Sequence, residues 1–203
     1  MLSQVGEEFK KHNPGIMKPS FWNVSQRFII ALIAFANFKQ TQKWKDKLEI
    51  DKQLKYFRRM VKQGAINLVH KLHLLEAEML SLGWSKSSEV FQKYDEAVVT
   101  ATRSGFLQDA ALANYYCFQY CDSKKERKHL AELYFKRSIE LWMSWGAVAV
   151  ASSLADRHPE HCAGSTRDSI SSGSISMSGS LRSRPRFDKT LSEQHHAEPT
   201  ALL

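Results

Sequence analysis

The chain has 203 residues, a formal net charge of +8 and a pI near 9.4. At 43% hydrophobic and 25% charged residues it is neither a membrane protein nor a wholly disordered one. Three cysteines cannot form a disulfide framework, and so few glycines and prolines argue against a loop-rich β architecture. These counts point to a soluble, largely helical protein of a reducing compartment, the cytoplasm.

The N-terminus, Met1-Leu-Ser-Gln-Val-Gly-Glu-Glu, lacks the basic and apolar regions of a secretory signal. Residues 1–18 read as a poorly ordered segment, with a turn at His12-Asn-Pro-Gly. The first helix is expected over 19–39, entered through Lys18-Pro19-Ser20. Its apolar run is unbroken only from Phe28 to Ala36. A membrane span needs about 18–20 apolar residues, so this reads as a buried core helix.

Further helices are expected over 42–63, 66–82, 86–104, 106–121, 125–144 and 147–157. Apolar residues recur at helical spacing, as in Leu68, Leu72, Leu75 and Met79. The breaks carry a repeat: Gly64, Gly105 and Gly146 stand 41 residues apart. On that period Phe57 lies over Val98 and Ile139, and Leu72 over Ala113 and Leu154. Such self-similarity is the mark of stacked helical hairpins, each unit here reading as a helix, a tight glycine turn and a returning helix. From Ala163 to Ser183 nine serines interrupt any periodicity, and residues 159–203 read as a disordered tail. Five basic residues balance five acidic ones there, so the whole positive charge belongs to residues 1–158.

Chemistry-bearing groups are sparse. A basic stretch runs through Lys39, Lys43, Lys45, Lys47, Lys52, Lys55, Arg58, Arg59 and Lys62, against Asp46, Glu49 and Asp51. It is the candidate surface for nucleic acid or anionic membrane, the alternative function over residues 39–62. No finger, RNP signature or helix-turn-helix accompanies it. His70-x-x-His73-x-x-Glu76 lacks the spacing of a two-histidine zinc helix. His70 and Glu76 are instead expected to pair between packed helices. Cys117 and Cys121 read as small core residues, and Trp142, Trp145 and Gly146 as packing core and its turn. No phosphate-cradling loop, nucleophilic triad or metal set is recognisable, so neither catalysis nor a cofactor is expected. In the tail, Ser183 and Thr190 sit among arginines as candidate phosphosites.

Three stretches carry a family resemblance. The first spans Asn67, His70, Lys71, Glu76 and Glu78. The second joins Tyr94 and Ala97 to Gly105, Phe106, Gln108, Asp109, Ala113 and Asn114. The third joins Tyr134 to Trp142, Trp145, Gly146 and Leu154. In order and spacing they resemble the tetratricopeptide-like region of very large signalling proteins. Those proteins carry a serine/threonine-kinase-like domain, a STAND-type ATPase, this helical region and, in many cases, a GAF sensor and a histidine kinase. The sequence departs from the pattern at Val150, at His158-Pro159 and at Ala110.

The resemblance covers roughly residues 20–158, and with the helix pattern it gives residues 19–158 as an all-α, tetratricopeptide-like stack of about seven helices. It implies a module without an activity, since the catalytic domains are not in these 203 residues. The expected function is non-catalytic: protein interaction or regulation, with a kinase or ATPase domain in cis or trans as partner. The chain reads either as a small adaptor or as a piece of a larger protein. The 21–38 helix is unusually apolar for the end of a stack and is expected to meet a neighbour or to self-associate.

Overall fold

A computed structural model describes residues 21–83, 85–124 and 127–161. The N-terminal segment, the serine tail and the candidate phosphosites Ser183 and Thr190 lie outside the described residues. Seven α-helices occur among the described residues, in order: α1 Phe21–Thr41, α2 Trp44–Lys62, α3 Val69–Leu82, α4 Ser87–Arg103, α5 Leu107–Asp122, α6 Lys128–Ser144 and α7 Val148–Arg157. Short 3-10 turns, Ile66–Leu68 and Pro159–His161, precede α3 and follow α7. No strand occurs among the described residues. The expected helices are all present, and within the described residues no end lies more than three residues from its expected place.

The 41-residue period has a physical basis in three copies of one turn. Gly64, Gly105 and Gly146 take φ of +94°, +77° and +88°, the left-handed region where a Cβ is penalised. After α2, the Gly64 N–H donates to the Val61 carbonyl and the Ala65 N–H to that of Met60. Gly105 and Phe106 repeat this onto Thr102 and Ala101, and Gly146 and Ala147 onto Met143 and Trp142. These are Schellman caps, which satisfy carbonyls that a helix end otherwise leaves unpaired. A Cβ on Gly105 would meet nothing within 4 Å, so an alanine there suffers only the backbone penalty. Gly105→Ala is expected to lower unfolding free energy by about 1–2 kcal/mol in urea denaturation. A change below about 0.3 kcal/mol would contradict a conformational role for Gly105.

The pairing refines the repeat unit. The most extensive contacts join α1 to α2, α3 to α4 and α5 to α6. The glycine turns therefore link one hairpin to the next, rather than closing each hairpin as expected from sequence. Within each hairpin the linkers are as short as Gln42-Lys43, which forces the two helices antiparallel. The first helices α1, α3 and α5 also touch in succession. The result is an antiparallel hairpin stack of the tetratricopeptide-like kind, with α7 as a final half-unit.

One contiguous core runs through the stack. Phe57 packs edge-on to Phe28, Phe91 stacks on Tyr134, and Phe118 meets Phe135 at 4.9 Å. Fully burying each such ring contributes about 1.5–3 kcal/mol. Buried Ala110, Ala111, Ala113 and Ala131 let neighbouring helices approach closely. The Ser138 hydroxyl, itself buried, donates to the Ala111 carbonyl across the α5–α6 contact at 2.9 Å. Cys117 and Cys121 are buried small core residues, as expected.

The folded part extends past its expected limit at residue 158. The Pro159–His161 turn holds His161 against Phe118, at 5.0 Å between ring centroids, and beside Asp122. Serine content marked the loss of periodicity but could not register aromatic contacts made by two histidines.

Candidate functional site

His70, Lys71, Glu76, Glu78 and Asp109 take part in three buried or half-buried struts between helices. The first joins α3 to α5. His70 and Lys71 open α3 directly after the 3-10 turn, and Asp109 stands in the first turn of α5. Asp109 Oδ2 lies 2.8 Å from His70 Nε2 and 2.6 Å from Lys71 Nζ. The ionised carboxylate only accepts, so His70 Nε2 is the donor. The His70 ring stacks on Phe106 at 4.6 Å, and Lys71 Nζ sits 4.4 Å over the Phe28 ring. Burial works against the charged form of Asp109. The hydrogen bond from His70 and the charge and hydrogen bond of Lys71 outweigh it, and hold the carboxyl below its ordinary range.

The second strut joins α1, α3 and α4. Glu78 is wholly buried on α3. Its Oε2 accepts from Lys39 Nζ at 2.7 Å, and its Oε1 accepts from the buried Tyr94 hydroxyl. Burial, together with the Glu78 charge, pushes the Tyr94 phenol well up. Tyr94 is thus a fixed donor, not an acid in the physiological range.

The third strut is more exposed and crosses α2, α3 and α4. Glu76 Oε1 receives Arg58 Nε at 3.0 Å, and Glu76 Oε2 lies 3.4 Å from Lys93 Nζ. Lys93 also pairs with Glu96 at 2.8 Å, and His73 Nδ1 lies 3.7 Å from the same carboxylate. Burial disfavours both charges, yet their mutual attraction raises Lys93 and lowers Glu96. His70 and Glu76 thus pair across helices, as the sequence suggested. His70 and His73 turn to different carboxylates rather than to one metal position.

The remaining motif positions divide by role. Asn67 is exposed. Gly105 and Gly146 form the turns described above. Ala113 and Asn114 are buried, and Asn114 Nδ2 donates to the Ala110 carbonyl of its own helix at 2.9 Å. Trp145 departs from its expected place in the core: it is 52% exposed, because it stands at the C-cap of α6 just before the turn. Trp142, one turn earlier, is the indole that packs on the core, edge-on to Trp145 at 5.8 Å.

The basic stretch resolves into paired and unpaired cations. Lys39 and Arg58 are taken up by the struts. Lys47 pairs with Asp51 at 3.3 Å and reaches Met79 Sδ at 3.1 Å. Arg59 lies 5.9 Å from the Tyr56 ring centroid. Lys43, Lys55 and Lys62 are exposed and have no carboxylate partner among the described residues. A groove of about 510 Å³ lined by Lys47, Asp51, Leu54, Lys55, Arg58 and Met79 opens between α2 and α3.

Asp109 and the full burial of Glu78 were not singled out as buried charges from the sequence. The signal available was a charge standing on an otherwise apolar arc: Glu78 between Leu75 and Leu82, and Asp109 beside Ala110 and Ala113. The buried Cys117 thiol is pushed well up by burial and is not poised as a nucleophile. No helix among the described residues is long and apolar enough to cross a membrane. No protein-family model, curated protein or solved structure matches the chain.

Proposed function

We propose that the chain is a non-catalytic helical-repeat interaction module. It acts by stacking against a helical neighbour, as the resemblance to the helical region of signalling ATPases and sensor kinases implies. One observation carries this reading. On α3, Lys71 and Glu78 reach back to Phe28 and Lys39 of α1. One repeat earlier, the same register on α1 holds Ile30 and Asn37, with Ile33 at the register of the buried Leu74. Ile29 beside them is 43% exposed, and Ile30 and Ile33 are half-buried. Among the described residues no hairpin covers this docking surface on the first hairpin, and apart from Asn37 it is apolar. Repeat stacks are stabilised mainly by such nearest-neighbour contacts, so an open docking face suits a further helical element. The three struts fix the relative placement of the hairpins, which keeps that face pre-formed.

The test is site-specific photo-cross-linking of the full chain in its own cells. A benzophenone side chain at Ile33 is expected to give protein adducts mapping to a helical segment of a kinase- or ATPase-bearing chain. Ile29→Asp should abolish them, and the same probe at exposed Glu132 should give none. Adducts at Ile33 no more abundant than at Glu132, or adducts to nucleic acid or lipid alone, would overturn the reading.

A further inference from the structure

The outer face of α2 joins exposed apolar side chains to a run of exposed cations. The helix turns 100° per residue, so Ile50, Gln53, Leu54 and Phe57 form its buried side. Opposite them, at helical spacing, stand Trp44, Leu48, Lys52, Lys55, Arg59 and Lys62. Trp44 is 67% exposed and Leu48 57% exposed, one turn apart at the start of the helix. Such large apolar side chains are seldom left together in water without a partner. Lysines flank them at positions 43, 45 and 52, all exposed.

The acidic residues of this helix, three against seven basic ones, offset only part of the charge. Asp51 is tied to Lys47 at 3.3 Å. Glu49 accepts from Gln53 Nε2 at 2.6 Å and lies 3.5 Å from Lys52. Asp46 lies 3.5 Å from the Thr41 hydroxyl. Lys43, Lys45, Lys55, Arg59 and Lys62 have no carboxylate partner among the described residues. Over its 19 residues the helix presents a straight basic ridge roughly 28 Å long with an apolar tip.

We propose that this ridge docks on an anionic lipid bilayer. Trp44 and Leu48 enter the headgroup boundary, while Lys52, Lys55, Arg59 and Lys62 lie along the negative surface. An indole and an aliphatic chain side by side, ringed by long lysine stems, match the mixed polarity of that boundary. A nucleic-acid surface would use the cations but offers Leu48 no stacking partner and no apolar phase. The open α1 face is a different surface, so membrane docking and helical stacking are independent properties.

Flotation of the full chain with phospholipid vesicles tests this. Vesicles with about 30% phosphatidylserine should bind it at least about tenfold more tightly than phosphatidylcholine alone, and less tightly at higher salt. Lys55→Gln/Arg59→Gln/Lys62→Gln should weaken that binding by about a hundredfold, at about fivefold for each of the three charges removed. Trp44→Ala/Leu48→Ala should weaken it by about tenfold at low and at high salt alike. All five residues are exposed, and an unchanged circular dichroism spectrum and melting midpoint will separate lost binding from lost fold. An environment-sensitive fluorophore on Leu48→Cys should shift to the blue on serine-lipid vesicles. Equal binding to both vesicle types, an unaffected Trp44→Ala/Leu48→Ala variant, no spectral shift, or tighter binding to duplex DNA than to vesicles would each overturn the proposal.

Discussion

Asp109→Ala is expected to lower the unfolding free energy by about 3–5 kcal/mol, a large part of the total for a domain of this size. The reason lies in what the substitution leaves behind. Lys71 is mostly buried and His70 almost wholly so, and both face the Asp109 carboxylate. Without it a buried ammonium loses its counter-charge and a buried imidazole N–H its acceptor. Asp109→Asn should cost less, because the amide oxygen still accepts one hydrogen bond. The sign of the pH dependence follows from the depressed carboxyl. In the folded state Asp109 holds its proton less tightly than in the unfolded chain. Its contribution is therefore complete above the ordinary carboxylate pKa of about 4 and is lost as pH falls through the lower folded value. Urea denaturation of both proteins at neutral pH and near pH 3 measures this. The gap between wild type and Asp109→Ala should narrow in acid. A neutral-pH difference under about 1 kcal/mol, or a gap that widens in acid, would show that the strut does not hold the α3–α5 contact.

Much of the fold was legible because it rests on local rules. Glycine at 41-residue intervals announces left-handed caps, and the apolar spacing between them announces which side of each helix is buried. The change of composition near Pro159 marked the end of the expected helices to within a few residues. The pairing of hairpins was less legible. A glycine turn joins two successive helices whichever of them packs more closely, and that choice is settled by the side chains between them. The struts were the least legible part. Lys39 and Glu78 are separated by 39 residues, and His70 and Asp109 likewise. Nothing local to Lys39 distinguishes it from the solvent-facing Lys43 or Lys55. Only the register of one hairpin on the next brings its ammonium to a buried carboxylate. Arg58 was hidden in the same way within the basic stretch. Trp145 errs in the opposite direction: its size suggests a core residue, but a position at a helix C-cap points it outward.

The other large effect is expected from Phe118→Ala, at about 4 kcal/mol. Phe118 is fully buried on α5 and touches four rings. Centroid distances are 4.9 Å to Phe135, 4.9 Å to His158, 5.0 Å to His161 and 5.7 Å to Tyr115. Removing the ring opens a cavity where α5, α6 and the turn after α7 meet. The loss therefore combines the transfer free energy of the ring with the contacts of its neighbours. Phe118→Leu keeps most of the volume and should cost about 1–2 kcal/mol. Urea denaturation gives both values. Amide hydrogen exchange at Ala151, Leu154 and Ala155 then shows where the loss is felt, since α7 is held chiefly by α6 and by the turn that Phe118 anchors. Two results are distinguishable. If α7 exchanges early while α3 and α4 keep their protection, the aromatic cluster is a cap that seals one end of an otherwise autonomous stack. If protection falls uniformly, the three hairpins fold as one unit. The second outcome is expected, because a stack of three hairpins is near the minimum in which each buries its docking face on a neighbour. A loss below about 2 kcal/mol would mean that the cluster collapses around the missing ring, and that the C-terminal end is not sealed by it.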